Sequence, residues 1–367
     1  MRFAYKPSPH IKARVSTKDI LNTVLIALLF VALWSLVAQF LNFGAQYALR
    51  SVLIIVVACF TAVLTNVVFY LFKTDGQNFT SFKERFKSTL PKTQKGAPLI
   101  TALILSLSLS VGTPIYAVII ATIFAEFFAK LLFGGFGGNI FNPAAVGLVV
   151  GGIAFGSQVI LPDVYAGATP LATISGLYNW RLTNTQGLGF ISGYGGLMPM
   201  LLGAVRGSIG ETARIAVLIA LVFMIYKRVL DWIVPIVYIA TVVAITGLFS
   251  LYLGVGVWYP ALHVLSGGLL FGAVFMATDP VTTPVNRQGR ILFAIFLAMI
   301  TLIIRFNSTH TESMAFSILI MNMFVPLIDR KTGNITTEFT ISKIVGICIA
   351  FILAVSVALG LTLILGY

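Results

Sequence analysis

The sequence predicts an all-α polytopic membrane protein, and three observations carry that prediction. Of the 367 residues, 58% are hydrophobic and 10% charged, against about 25% charged in soluble domains. The apolar residues fall into repeated runs of 16 to 25 residues. Each run can cross a hydrocarbon core of about 30 Å with its backbone hydrogen bonds satisfied internally. The Lys and Arg residues gather in alternate connections between the runs, the asymmetry that orients helices in a bilayer.

Taken in order, the spans fall at about 20–41, 48–72, 97–112, 115–133, 141–156, 212–228, 232–254, 261–277, 290–305, 311–328 and 343–366. The basic start of the chain leads into a run of full span length, which reads as a first span rather than a cleaved leader. With the N-terminus inside, nineteen of the 24 Lys and Arg residues lie inside and five outside: Arg50, Arg181, Arg206, Arg214 and Arg305. The net charge of +13 is thereby explained by membrane topology, with no nucleic acid partner needed. This gives a cytoplasmic segment at 1–19, a first five-helix repeat at 20–156, an outer-face loop at 157–211, a second five-helix repeat at 212–328, and an inner loop with an extra C-terminal span at 329–367. Five is odd, so the second repeat is inverted with respect to the first, an architecture common among transporters.

Two short stretches mark corresponding places in the repeats. Span three ends at Thr113-Pro114, and span eight runs into Ala277-Thr-Asp279-Pro280-Val-Thr-Thr283-Pro284. Proline frees backbone carbonyls, and irregular backbone at membrane depth must line a cavity or be buried in protein. Each is expected to break its helix near one membrane surface, unless both are ordinary helix ends. Between spans four and five, Gly134 to Ala145 holds four glycines and two amides, Asn139 and Asn142. Asn142 ahead of Pro143 suits a helix start. Asn139 is left without a capping role, and paired amides equally suit the polar edge of a planar heterocycle. In the outer loop, Ser208 and Glu211 have capping-box spacing. A phosphate would also be well placed there, beside Arg206 and Arg214.

Charges inside the spans are Glu126, Lys130, Asp231, His263 and Arg305. Most lie near span ends, where snorkelling accounts for them. Glu126 is the deepest, and Lys130 four residues later gives it a favourable helical pair. The polybasic inner connection with Lys83, Arg85, Lys87, Lys92 and Lys95 suits anionic membrane lipid or another protein of a complex. Cys59 and Cys348 are the two cysteines, too few for an iron–sulfur cluster needing about four thiolates. His10, His263 and His310 are scattered. No metal site is visible, so any redox chemistry must come from an organic cofactor.

Six segments together resemble the RnfD family, the D-type membrane component of the Rnf complex, a ferredoxin:NAD⁺ oxidoreductase that pumps Na⁺ or H⁺. They are Ser8-Pro-His10, Gly134 to Ala145, Gly167-Ala168-Thr169-Pro-Leu-Ala172, Gly207 to Thr212, Ala277 to Thr282 and Val325 to Asp329. The family is similar to the B-type component of the Na⁺-translocating NADH:quinone reductase. Its ten spans form two inverted repeats, and 343–366 departs from it as an addition. The resemblance implies that a flavinyltransferase attaches FMN through its phosphate to the threonine of a motif matched here by Asp163-Val-Tyr-Ala166-Gly167-Ala168-Thr169, with Ala166 where serine is commoner. It also implies a noncovalent riboflavin near the inner face, with Asn139 and Asn142 contributing to its site. One flavin toward each surface would offer electrons a route across a chain without metal. The implied partners are the other Rnf subunits, among them an outer-face flavoprotein and iron–sulfur subunits, in the bacterial cytoplasmic membrane. Two other readings compete: a component of the quinone reductase type, and a small-solute channel or transporter of urea-channel-like fold.

Overall fold

The computed structural model describes residues 16–73, 82–159, 174, 180, 183–193, 195–203, 207–307, 313–333 and 341–364. Helices occupy all eleven expected spans, and the described residues contain no β-strand. α1 (Thr17–Phe43) opens with a capping box: the Asp19 N–H donates to Ser16 Oγ at 3.2 Å, and the Ser16 N–H donates to Asp19 Oδ2 at 3.0 Å. Gly44, with φ of +101°, reverses the chain into α2 (Ala45–Phe72). Both helices bury small residues, Ala27, Ala32, Ser35 and Ala38 on α1 and Ser51, Ala58, Thr61 and Ala62 on α2. Many of their large residues, such as Leu33, Phe40 and Phe60, point outward, with Leu28, Val31 and Ile54 turned inward. In lipid this distribution is the stable one, because tails solvate Leu and Phe as well as a core does and small residues let backbones approach.

The connection between spans two and three is not a plain loop. It contains α3 (Phe82–Lys95), an amphipathic helix packed on α2. α4 (Pro98–Ser108) is only 11 residues long, and the hydroxyls of Ser106 and Ser108 bond back to the Leu103 and Ile104 carbonyls at 3.2 and 2.8 Å. α5 (Ile115–Ile123) continues into a π-helical stretch, Phe124–Leu131, in which the Leu132 N–H reaches the Phe127 carbonyl at 3.0 Å. α6 is Pro143–Val159. Two helices of the connection between spans five and six follow, α7 (Asn184–Gly193) and α8 (Leu197–Leu202), and α8 packs on spans six and eight. Gly187 meets the Trp258 ring so closely that a Cβ would overlap it, while Trp258 Nε1 donates to Asn184 Oδ1 at 3.2 Å.

A 3₁₀ turn, Gly210–Ala213, leads into α9 (Arg214–Tyr226), again short at 13 residues. α10 is Ile233–Leu253; α11 (Trp258–Leu265) and α12 (Leu269–Phe271, continuing as a π-helix over Gly272–Met276) make up span eight. α13 (Arg287–Asn307), α14 (Met314–Thr332) and α15 (Ile341–Ile364) complete the chain, α15 lying against α13 and α10.

The breaks in spans three and eight exist, but neither falls at Thr-Pro. Span three leaves the helix at Ser108, where Leu109 turns extended. Ser110 then pairs antiparallel with Ser208, and the Ile209 N–H donates to the Leu109 carbonyl at 2.9 Å. This pairing explains why α4 and α9 fall short of the roughly 20 residues a span needs: irregular backbone supplies the remaining length and is satisfied inside protein. Ser35 of α1 reinforces it, with its Oγ on the Ile209 carbonyl and 2.8 Å from Thr212 Oγ1. Span eight bends by 63° between its halves, at Ser266–Gly268. Gly267 and Gly268 stand at φ of +74° and +63°, where a side chain is disfavoured. Thr278 to Thr283 forms the turn at the far end of that span.

Candidate functional site

The two amides singled out in the sequence sit in the wall of one cavity of about 240 Å³, at the end of the bundle that carries the glycine loop. Gly134, Gly135 and Gly137 all have positive φ, between +91° and +108°, which lets the loop fold back tightly before α6. Asn142 caps α6 as expected, accepting from the Ala145 N–H at 3.1 Å. It also does more. Its Nδ2 donates to the Met276 carbonyl at 3.0 Å, and its own N–H donates to Asn322 Oδ1 at 2.9 Å. Asn322 Nδ2 in turn reaches the Thr282 carbonyl at 3.1 Å. These two asparagines therefore bind the start of α6, the end of span eight and α14 together. Sequence reasoning misses Asn322, whose signal is a lone amide within an apolar span.

Asn139 donates to the Phe141 carbonyl at 3.1 Å and is 7% exposed. Its amide also meets the carboxylate of Asp279. Asp279 lies beyond the end of span eight, where lost hydration pushes its carboxyl up; the Val281 N–H, the Thr282 hydroxyl, the charge of Lys130 and the Asn139 amide pull it back. Opposite stands a buried ion pair. Lys130 Nζ is 3.2 Å from Glu126 Oε1 and donates to Thr101 Oγ1 at 3.0 Å, and Asn66 Nδ2 donates to Glu126 Oε2 at 2.8 Å. Glu126 is fully buried and Lys130 nearly so. The π-helical turn that carries both departs from α-helical spacing, as such turns often do where side chains serve a site. Ile100, Ile104, Phe136 and Phe275 add apolar surface to the cavity.

Several expectations about charge need correction. His263 and Arg305 do not snorkel; both are buried in protein, while Lys130 makes the expected pair with Glu126 four residues earlier. Arg305 lies across the break of span eight, with Nη1 on the His263 carbonyl at 2.7 Å and Nη2 3.3 Å from those of Ser266 and Gly267. A cation there satisfies the exposed carbonyls of a helix C-terminus. His263 is enclosed by Trp180, Tyr259 and Phe306. Asp231 pairs with Arg290. Ser208 and Glu211 form half of the capping box, the Ser208 N–H donating to Glu211 Oε2 at 2.7 Å. The Arg214 guanidinium, 3% exposed, turns onto the Met200 carbonyl, which removes it from the phosphate role considered for it. Arg206 lies outside the described residues, as do Asp163, Ala166, Gly167, Ala168 and Thr169.

The chain is similar over almost its whole length to proteins of one kind. It is 33% identical over 339 residues to the D component of the proton-translocating ferredoxin:NAD(+) oxidoreductase complex of Clostridium ljungdahlii, covering 90% of this chain and 94% of that one. It is 30% identical over 331 residues to the D component of the Na(+)-translocating ferredoxin:NAD(+) oxidoreductase complex of Acetobacterium woodii, covering 89% and 92%. The B component of the Na(+)-translocating NADH-quinone reductase of Chromohalobacter salexigens is 31% identical over a shorter stretch, 55% of this chain and 49% of that one. A profile of the NQR2, RnfD, RnfE family matches residues 4–337 and stops before α15. The chain belongs to the NQR2, RnfD, RnfE family.

Proposed function

We propose that this chain is the flavin-carrying membrane subunit of an ion-translocating ferredoxin:NAD⁺ oxidoreductase in the bacterial cytoplasmic membrane. The observation that carries the reading is similarity along nine-tenths of the chain to the D components of two such complexes. The quinone-reductase relative covers about half of each chain, which favours the ferredoxin-linked type. Family membership likewise favours electron transport over a solute channel. The relatives are named as subunits of complexes, so the chain works with other subunits; an outer-face flavoprotein and iron–sulfur proteins would supply the centres that two cysteines cannot.

Two flavin positions complete the proposal. FMN is joined by its phosphate to the hydroxyl of Thr169, with Asp163, Gly167 and Ala168 forming the motif that a flavinyltransferase reads and the loop facing outward. Riboflavin is held without a covalent bond in the cavity of Asn139 and Asn142. The residues there fit such a group. The cavity, about 240 Å³, is near the lower end of small-molecule pockets, which begin at roughly 300 Å³, so it would hold the ring and leave the ribityl tail outside that volume. Isoleucine and phenylalanine side chains suit the ring faces. Lys130 and Thr101 offer a charge and a hydroxyl, Asn142 keeps an N–H beyond the bond its Nδ2 donates to Met276, and the Asn139 amide could exchange its contact with Asp279 for one to a ligand. A bound flavin supplies the one- and two-electron chemistry that these side chains lack. The chain's own part is to hold the ring, exclude water and keep charge fixed beside it.

The test follows from the unequal roles of the two amides. Asn139→Ala leaves the α6 cap intact and is expected to lower the noncovalent flavin extracted per folded chain by tenfold or more, while covalent flavin is unchanged. Full retention of extractable flavin in that variant would remove riboflavin from this cavity.

A further inference from the structure

We propose that α3 is an interfacial helix that binds anionic phospholipid, with its apolar stripe among the acyl chains and its cations on the phosphates. Phe82, Phe86 and Leu90 recur every four residues and are 72%, 41% and 43% exposed. Residues at that spacing share one helix face. The side packed on the protein carries the buried Thr89 and Thr93 and the half-buried Arg85, Ser88 and Lys92; its centre lies about 100° round the helix from the centre of the stripe, which leaves Phe86 and Leu90 uncovered. Among the described residues nothing covers it. The same fourteen residues carry five cations, Lys83, Arg85, Lys87, Lys92 and Lys95, and one acid, Glu84. An apolar stripe flanked by Lys and Arg is what a helix lying in the headgroup boundary needs, since burial and attraction to anionic lipid act together.

The packing places α3 at that depth. A Cβ on Gly96, just past the helix, would stand 3.0 Å from Asn66 Oδ1. Asn66 lies six residues before the end of α2 at Phe72, about 9 Å along the helix axis at 1.5 Å per residue. The C-terminal end of α3 therefore lies beside spanning helix, and Pro98 starts α4 directly after it. A face docking a soluble partner would stand clear of the spans; the C-terminal end of this one is packed directly against them. The charge asymmetry selects anionic headgroups over zwitterionic ones.

The test uses the full chain in lipid nanodiscs, with Cys59→Ser and Cys348→Ala leaving one environment-sensitive label at Phe86→Cys, and Phe82→Cys as a second site. The expected result is a blue-shifted label quenched by lipids brominated near the headgroup end of the acyl chain. In mixed phosphatidylglycerol and phosphatidylcholine discs, the label is expected to report enrichment of phosphatidylglycerol. Lys87→Gln with Lys95→Gln is expected to weaken binding to phosphatidylglycerol by up to about thirtyfold, from about 1 kcal/mol for each cation removed at a charged surface. Quenching by aqueous iodide as strong as for free dye would overturn the proposal. So would shielding that appears only with other subunits of the complex present, which would make the stripe a protein-docking face, or shielding that disappears when residues 1–15 are deleted.

Discussion

At the scale of single residues, the polar groups inside the bundle hold its two irregular spans in place. Lys130 and Glu126 form a buried pair that also bonds Thr101 and Asn66. Lys130→Met would leave the Glu126 carboxylate without its cation and is expected to destabilise the protein by about 3–5 kcal/mol. Adding Glu126→Gln should recover most of that loss, because a neutral amide keeps the Asn66 contact without a buried charge. Thermal unfolding in detergent across the four variants measures the coupling, and simple additivity would show that the pair does not act as one. Arg305 ties three carbonyls of span eight to α13. Arg305→Met is expected to cost about 3 kcal/mol or more, from hydrogen bonds to a charged group worth about 1.5–3 kcal/mol each. An unchanged unfolding midpoint would contradict that role. Neither effect could be read from the sequence. Arg305 stands near the end of an apolar run, where snorkelling is the simplest account. Only folding brings it against carbonyls some forty residues earlier.

At the scale of elements, the hydropathy pattern gave the spans well and their interiors poorly. α1, α2, α10 and α13 are uninterrupted apolar helices, and their positions follow from run length alone. The prolines between Thr278 and Pro284 advertise a break in span eight. It lies instead at Ser266–Gly268, where two glycines leave hydropathy unaltered while permitting left-handed φ. Gly268→Ala puts a Cβ at φ of +63° and is expected to cost about 1–2 kcal/mol. The loss should show as a lower unfolding midpoint, and an unaffected midpoint would mean that the bend does not depend on that conformation. Gly147 makes the matching point for packing. A Cβ there would fall 2.6 Å from the Ala121 carbonyl of α5, so Gly147→Ala forces α5 and α6 apart and is expected to cost about 1–3 kcal/mol. α3 was hidden for the opposite reason: its Lys-rich composition reads as a loop, although Phe82, Phe86 and Leu90 already had helical spacing.

At the scale of the whole molecule, the first five spans and the next five surround backbone that crosses the bundle without regular helix, and the two groups are joined at Ser110–Ser208 and again at Asn142–Asn322. The second junction forms part of the cavity that we assign to a noncovalent flavin, so the site depends on both halves of the chain. Asn139 and Asn142 were legible as a pair because two amides beside a glycine loop exceed what one helix cap requires. Their partners were not, since Met276 and Asn322 are distant in sequence. α15 lies beyond the family match and packs on α13. A phosphodiester bond between FMN and Thr169 would survive denaturation, so after co-expression with a flavinyltransferase the chain is tested for flavin fluorescence on a denaturing gel. The expected result is a fluorescent band at the chain's position that disappears in Thr169→Ala. A dark wild-type band, or one that keeps its fluorescence in Thr169→Ala, would contradict it.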